Sequence, residues 1–209
     1  MNSPATTAQT AFPSPPPIAP EHGPSAAQWG MISFLLSEVA FFSTLIVTYV
    51  AFIGADSSGP TPAEALSLPV VIGTTICLLS SSYVIHLAEG ALARGDQSGF
   101  CRLWGATVAL GVAFLAGTAF EWHDLIVDKG LTISRNLFGT TYYTLVGFHG
   151  LHVACGAVAM SIVLGLALRR QVTEKNRTGV QLVAWYWHFV DAVWVVVFLV
   201  VYVAGKGGA

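Results

Sequence analysis

Long apolar segments make up most of this chain, and each is long enough to cross a lipid bilayer as an α-helix. A helix rises about 1.5 Å per residue, so that about 20 apolar residues span the roughly 30 Å of hydrocarbon in a bilayer. About five such segments follow one another. They cover residues 28–53, 66–87, 103–126, 137–168 and 180–204. The alternating polar positions of a membrane β-barrel are missing, so the sequence predicts an all-α, polytopic membrane helix bundle of about five transmembrane helices.

Composition and charge disfavour other classes of protein. Hydrophobic residues make up 54% of the chain and charged residues only 10%, and the mean hydropathy is +0.67, which leaves too little polar surface for a soluble domain. The net charge of -2, without a basic stripe, gives no indication of nucleic-acid binding. Cys77, Cys101 and Cys155 are odd in number and widely spaced, which favours small buried hydrophobic residues over a disulfide framework or a CxxC metal site.

The N-terminal stretch differs from the rest of the chain. Residues 1–27 are rich in Pro and Ala, a composition that buries too little apolar surface to offset the entropy of ordering. No basic stretch followed by an apolar core is present there, so no secretory signal is predicted. We expect a disordered tail over residues 1–27 and a transmembrane domain over residues 28–209.

The basic residues predict the orientation in the membrane, since cytoplasmic loops accumulate Lys and Arg. One side, around the second and fourth connectors, holds Arg94, Arg102, Arg169, Arg170, Lys175 and Arg177. The opposite side holds Lys129, Arg135 and Lys206. We therefore expect a cytoplasmic N-terminus and a C-terminus on the outer side.

Ionisable residues within the apolar segments are the candidates for function. They are Glu38, His149, His152, His188 and Asp191. Counted along the helices, they lie about 12 to 22 Å from a helix start, near the middle of the bilayer. An ionisable side chain at that depth is costly unless it is neutralised, paired or hydrated. Both histidine-containing pairs are spaced three residues apart and so share a helix face, and we predict a buried polar network between helices.

The role of each group in that network has alternatives. No cation lies next to Glu38 in the sequence, so a neutral carboxyl that only packs competes with a proton-carrying role. Haem or copper ligation by the histidines is disfavoured, because no helix supplies two histidines several turns apart and no thiolate or carboxylate cluster completes a site. Hydrogen bonds or ion pairs between helices are favoured. We therefore predict no catalytic residue, cofactor or metal site in this chain.

Other polar and aromatic residues are predicted to lie near the membrane interface. Glu121 closes the third segment, where water or head groups can solvate a carboxylate. Trp185 and Trp187 are interpreted as packing and interface residues. His86 and Glu89 lie near the end of the second segment, where water or head groups can solvate them as well.

Three blocks of sequence, in chain order, are similar to those of a known family. They are GMISFLLSE at residues 30–38, GFHGLH at residues 147–152, and AWYWHFVD at residues 184–191 with Trp194 following. From Trp29 onward the chain resembles subunit III of haem-copper cytochrome c oxidases, in the short bacterial type with five helices.

The resemblance implies an accessory subunit of a proton-pumping terminal oxidase in aerobic respiration, with no redox centre of its own. Haem and copper would then reside in partner chains, with oxidase subunit I in direct contact and subunit II and other respiratory-complex subunits nearby, in a bacterial inner (plasma) membrane. A V-shaped bundle with a phospholipid cleft and support of proton uptake are also implied. So is a buried carboxyl reactive toward hydrophobic carbodiimides, matching Glu38. Where many relatives carry paired histidines, this chain has Ala88, Glu89 and Gly90, and no role is carried over.

Several alternatives stay open at this point. The equivalent subunit of a quinol oxidase, or a small homologue associated with nitric oxide reductase, would share the same features. An independent proton-coupled transporter would also bury carboxylates and histidines, although no internal repeat is visible in the sequence. A haem-binding membrane cytochrome would differ from all of these in its optical spectrum.

Overall fold

The computed structural model describes residues 23–55, 66, 68–172 and 176–205, and this part of the chain is built from helices. They are α1 Ala26–Ala51, α2 Leu68–Ala93, α3 Gln97–Val127, α4 Leu137–Leu168 and α5 Arg177–Phe198, the last continued by a π-helical segment, Leu199–Ala204. Five helices are long and apolar enough to cross a membrane. The predicted all-α bundle of five transmembrane helices is confirmed.

The predicted boundaries hold for some segments and shift for others. α4 has the bounds predicted from the sequence, whereas α2 and α3 each extend about six residues further toward the corner that joins them. The first residues of α1, Ala26 and Ala27, lie in the predicted tail. Most of that tail, residues 1–22, falls outside the described residues, as do Lys175 and Lys206 of the orientation argument.

Side-chain caps fix where three helices begin. Ser25 and Gln28 form a capping box at α1, in which each side chain accepts a hydrogen bond from the other residue's backbone N–H. At α3 the Asp96 carboxylate accepts from the Gly99 N–H and the Ser98 hydroxyl, and these bonds lower the pKa of the exposed Asp96 carboxyl. Asn136 caps α4 in the same manner.

The α2–α3 corner turns through a single glycine. Gly95 has a φ of 75°, in the left-handed region that glycine enters without a steric penalty. The turn lets α2 and α3 pack against each other as an antiparallel hairpin. α4 and α5 form the middle of the bundle: α4 contacts α1, α3 and α5, while α5 contacts α1, α2 and α4.

Trp187 on α5 is the side chain that ties the middle of the bundle together. A Cβ atom at Gly111 of α3 would lie 2.6 Å from Trp187 Cη2, and one at Gly156 of α4 would lie 2.9 Å from Cε3. We call the space between these two glycines the glycine slot. A side chain at either position would overlap the Trp187 ring. The indole N–H donates to Ser81 Oγ of α2 over 2.8 Å, so that one residue of α5 contacts three other helices.

We expect Gly156→Ala to destabilise the bundle, because the added methyl group overlaps the buried Trp187 ring. Overpacking of this kind costs about 1–3 kcal/mol. Thermal unfolding in mild detergent, followed by circular dichroism, measures the loss. Gly165→Ala on the same helix is the matched control, since a methyl group there meets nothing within 4 Å and favours the helix. Equal melting temperatures for the two variants would contradict the slot.

Candidate functional site

Glu38 of α1 pairs with His152 of α4. Glu38 Oε2 lies 3.0 Å from His152 Nε2, and both side chains are partly buried. The other ring nitrogen, His152 Nδ1, lies 2.7 Å from the backbone carbonyl oxygen of Phe148, one turn earlier on α4. The Glu38 carboxyl thus meets a histidine of another helix.

The Phe148 carbonyl fixes which ring nitrogen of His152 carries a hydrogen. A carbonyl oxygen only accepts hydrogen bonds, so His152 Nδ1 must carry a hydrogen and donate it. The contact between Nε2 and Glu38 then contains one proton, either on the carboxyl with a neutral imidazole or on Nε2 with a carboxylate. The net charge of the pair is zero in both forms, which suits a site with little access to water.

The Glu38–His152 pair opens onto an apolar groove between α1, α4 and α5. The groove encloses about 470 Å³ and is lined by Met31, Phe34, Glu38, Leu151, His152, Cys155, Ala159, Val183 and Tyr186. Tyr186 donates its hydroxyl hydrogen to the backbone oxygen of His152 over 3.1 Å. The pair is therefore the polar element in an otherwise hydrophobic recess.

His188 and Asp191 of α5 form a second cluster with Ser82 of α2. Ser82 Oγ hydrogen-bonds to Asp191 Oδ2 and lies 3.1 Å from His188 Nδ1. The serine stands between the acid and the imidazole, so this is not the order of a hydrolase triad, in which the histidine takes the central place. Asp191 is only 3% exposed.

Further hydrogen bonds extend this cluster along the α2–α5 contact. Besides the bond from Trp187 to Ser81, the indole N–H of Trp194 donates to Thr75 Oγ1 over 3.0 Å. We call this set the α2–α5 seam; its members are Thr75, Ser81, Ser82, Trp187, His188, Asp191 and Trp194. In hydrocarbon, where water cannot compete, such bonds hold helices together.

His149 does not join either cluster by a hydrogen bond. Its ring is fully buried, stacks on Trp194 at a centroid distance of 4.8 Å and meets Phe114 edge-on at 5.8 Å. Neither ring nitrogen has a hydrogen-bond partner among the described residues. The single network predicted from the sequence is thus resolved into two separate clusters and an isolated imidazole.

Glu121 lies in a different environment from the one predicted. The sequence predicts a carboxylate solvated at the interface, but Glu121 is only 5% exposed, and Oε2 accepts the Tyr202 hydroxyl at 3.0 Å. Tyr142 approaches the same oxygen at 3.5 Å and contacts Tyr202 at 3.2 Å. The tyrosines come from α4 and the π-helical segment, and their positions relative to α3 cannot be obtained from spacing within α3.

The two predicted interface tryptophans differ in burial. Trp187 is fully buried in the glycine slot, so the interface prediction is corrected for this residue. Trp185 is partly exposed, on a different face of α5. Within the part of the chain that the structure describes, no group of three or more His, Cys, Asp or Glu side chains is arranged to hold a metal ion.

Comparisons with known proteins give a consistent result. The family model of cytochrome c oxidase subunit III matches residues 22–206. Cytochrome c oxidase subunit 3 of Synechocystis sp. is 39% identical over 188 residues, which cover 87% of this chain and 77% of that protein. The protein of the same name from Corynebacterium diphtheriae is 35% identical over 90% of this chain and 93% of its own. Cytochrome bo(3) ubiquinol oxidase subunit 3 of Pseudomonas aeruginosa is 33% identical over 85% and 84%.

Two substitutions on α4 should differ in their effect on stability. His149→Phe keeps a flat ring against Trp194 and removes two unpaired polar atoms, so we expect unchanged or increased stability. His152→Phe leaves Glu38 without its partner and should cost about 1–3 kcal/mol. Thermal unfolding of both variants in the same detergent measures the difference. A larger loss for His149→Phe than for His152→Phe would show that His149 has a polar partner in the assembled protein.

Proposed function

The chain belongs to the cytochrome c oxidase subunit III family, and we propose on that basis that it is a non-catalytic subunit of a proton-pumping oxidase that reduces oxygen to water. The observation that carries the proposal is the extent of the match, which includes every described helix. Haem and copper are proposed to reside in partner subunits, with subunit I in direct contact and subunit II in the same complex.

The electron donor is proposed to be cytochrome c. Two of the relatives named above are cytochrome c oxidase subunits and share 39% and 35% identity with the chain, while the ubiquinol oxidase subunit shares 33%. These values lie close together, so a quinol oxidase is the second candidate. Identification of the partner chains distinguishes the two candidates, according to whether subunit II has a copper-binding domain.

We propose that the subunit stabilises the catalytic subunit and binds phospholipid. The apolar groove beside Glu38 has the volume and lining to take part of an acyl chain. Much of α1 is exposed and apolar, which is the surface expected of a helix in contact with lipid or with a neighbouring subunit. The Glu38–His152 pair, which carries one proton at zero net charge, is proposed to support proton uptake by the complex.

The proposed location is the bacterial inner membrane with the N-terminus in the cytoplasm. The described helix ends support this orientation. Arg94, Arg102, Arg169, Arg170 and Arg177 lie at one end of the bundle, and Lys129 and Arg135 at the other.

Purification of the tagged chain in mild detergent should recover a haem protein. Mass spectrometry of the eluate identifies the catalytic subunits, and a redox difference spectrum detects haem in them. A colourless, solitary chain under several mild conditions would contradict membership in an oxidase. A Soret band retained after all partners have been removed would favour a haem-binding cytochrome. Substrate flux in liposomes that contain the chain alone would favour an independent transporter.

We expect Glu38→Ala to reduce the retention of this subunit and proton pumping, because the substitution removes the polar contact between α1 and α4. Glu38→Gln keeps a hydrogen-bonding group but no exchangeable acid, so retention should persist while carbodiimide reactivity is lost. The measurements are turnover, protons pumped per electron and subunit content of the purified complex.

Thr48→Ala is the matched control on α1. The Thr48 hydroxyl bonds to the carbonyl of Thr44 in its own helix, so the substitution leaves the contact with α4 intact. Unchanged turnover, pumping and subunit content in both Glu38 variants would remove the functional part of the proposal.

A further inference from the structure

We propose that Asp191 is a proton-exchanging acid, connected through Ser82 and His188 to an aqueous pocket at the end of the bundle where α2 ends and α5 begins. This inference goes beyond the proposed function and does not depend on it, since it concerns one carboxyl group and its route to water. It stands on the hydrogen bonds of the α2–α5 seam and on the pocket that continues it.

Asp191 lacks the partners that would stabilise a carboxylate. Asp191 Oδ1 is buried and has no hydrogen-bond partner among the described residues, while Oδ2 is bound by Ser82. The ion pairs of the described chain are Lys129 with Asp124 and His152 with Glu38, so no Lys or Arg there compensates Asp191. An isolated carboxylate in such a place is strongly disfavoured, and the group is held as the neutral acid.

Ser82 is placed to relay a proton between Asp191 and His188. Ser82 Oγ contacts both Asp191 Oδ2 and His188 Nδ1, and a hydroxyl both donates and accepts. When the Asp191 O–H bond breaks, its proton forms a new bond to Ser82 Oγ, and the hydrogen that Ser82 held passes to His188 Nδ1. The products are a carboxylate and an imidazolium bridged by an unchanged serine, so charge and atoms balance without another reactant.

His86 and Glu89 lie between the α2–α5 seam and the pocket at the end of the bundle. His86 lies one turn beyond Ser82 on α2, and Glu89 lies a further turn along the same face. Both line a pocket of about 300 Å³, to which α5 contributes Arg177 and Gln181. His86 is exposed and is close enough to His188 for the two rings to interact electrostatically. Titratable groups therefore continue from the pocket to the buried acid.

Other ionisable groups around α5 belong to different contacts. From α1 and α4, Glu38 and His152 bind each other, and from α3, Glu121 binds Tyr202. His149 of α4 stacks on Trp194, one turn from Asp191, and lacks a hydrogen bond to it. Arg177 interacts electrostatically with Glu89 inside the pocket. The groups placed to exchange a proton with Asp191 are thus Ser82 and His188, followed by His86 and Glu89.

Infrared spectroscopy of the purified full-length protein tests the proposal directly. At neutral pH we expect a carbonyl band of a protonated carboxylic acid that disappears in Asp191→Asn. In D2O this band should shift as the acid exchanges its proton. Ser82→Ala should slow that shift by about tenfold or more, since it removes the bridging hydroxyl, and Ser82→Thr should restore it. The absence of any band lost in Asp191→Asn would overturn the proposal.

Two further variants separate proton exchange from mere helix packing. His86→Gln changes an exposed residue at the pocket and leaves the seam intact, so it should slow exchange without lowering the melting temperature. Glu38→Gln should leave exchange at Asp191 unchanged. If exchange in Ser82→Ala and His86→Gln is as fast as in the unmodified protein, the route is wrong. The infrared measurements do not depend on whether a haem protein is recovered with the tagged chain. The proposal of oxidase membership and the proposal of proton exchange at Asp191 can therefore fail separately.

Discussion

The fold depends on hydrogen bonds that join polar side chains of different helices within the hydrocarbon layer. Water is absent there, so a polar group that forms no hydrogen bond to another helix stays unsatisfied. Each such bond therefore fixes the position of one helix relative to the next. Here α4 and α5 carry most of the polar groups, and the peripheral helices supply the partners. Glu38 comes from α1 and Ser82 from α2. The middle of the bundle is thus held by specific contacts as well as by packing.

The same constraint governs charge. The described Arg and Lys side chains lie near the helix ends, so the acids deep in the bundle have no permanent cation beside them. Glu38 and Asp191 are instead joined to an imidazole, directly for Glu38 and through Ser82 for Asp191. A carboxyl and an imidazole that share one proton remain neutral as a pair wherever the proton lies. Such pairs are compatible with hydrocarbon because they carry no net charge.

The sequence predicted the helices well because hydropathy acts on each segment separately. α4 needs no information from other helices to be recognised, and its bounds agree with the prediction. Partners between helices depend on how the segments pack, which explains why the burial of Glu121 by Tyr202 and that of Trp187 by Gly111 and Gly156 were not predicted. The Ser25 capping box was a missed signal, since Ser-x-x-Gln before an apolar run is visible in the sequence.

The division of the predicted network follows from helix geometry. Residues three apart on a helix differ by about 60° in direction, which is close enough to share a broad face but wide enough to enter different contacts. His152 therefore reaches Glu38 on α1, while His149 turns toward Trp194 of α5 and Phe114 of α3. The Glu38–His152 pair borders the apolar groove, whereas Ser82, His188 and Asp191 lie in the α2–α5 seam. Glu38 and Asp191 thus have separate surroundings and share no hydrogen-bond partner among the described residues.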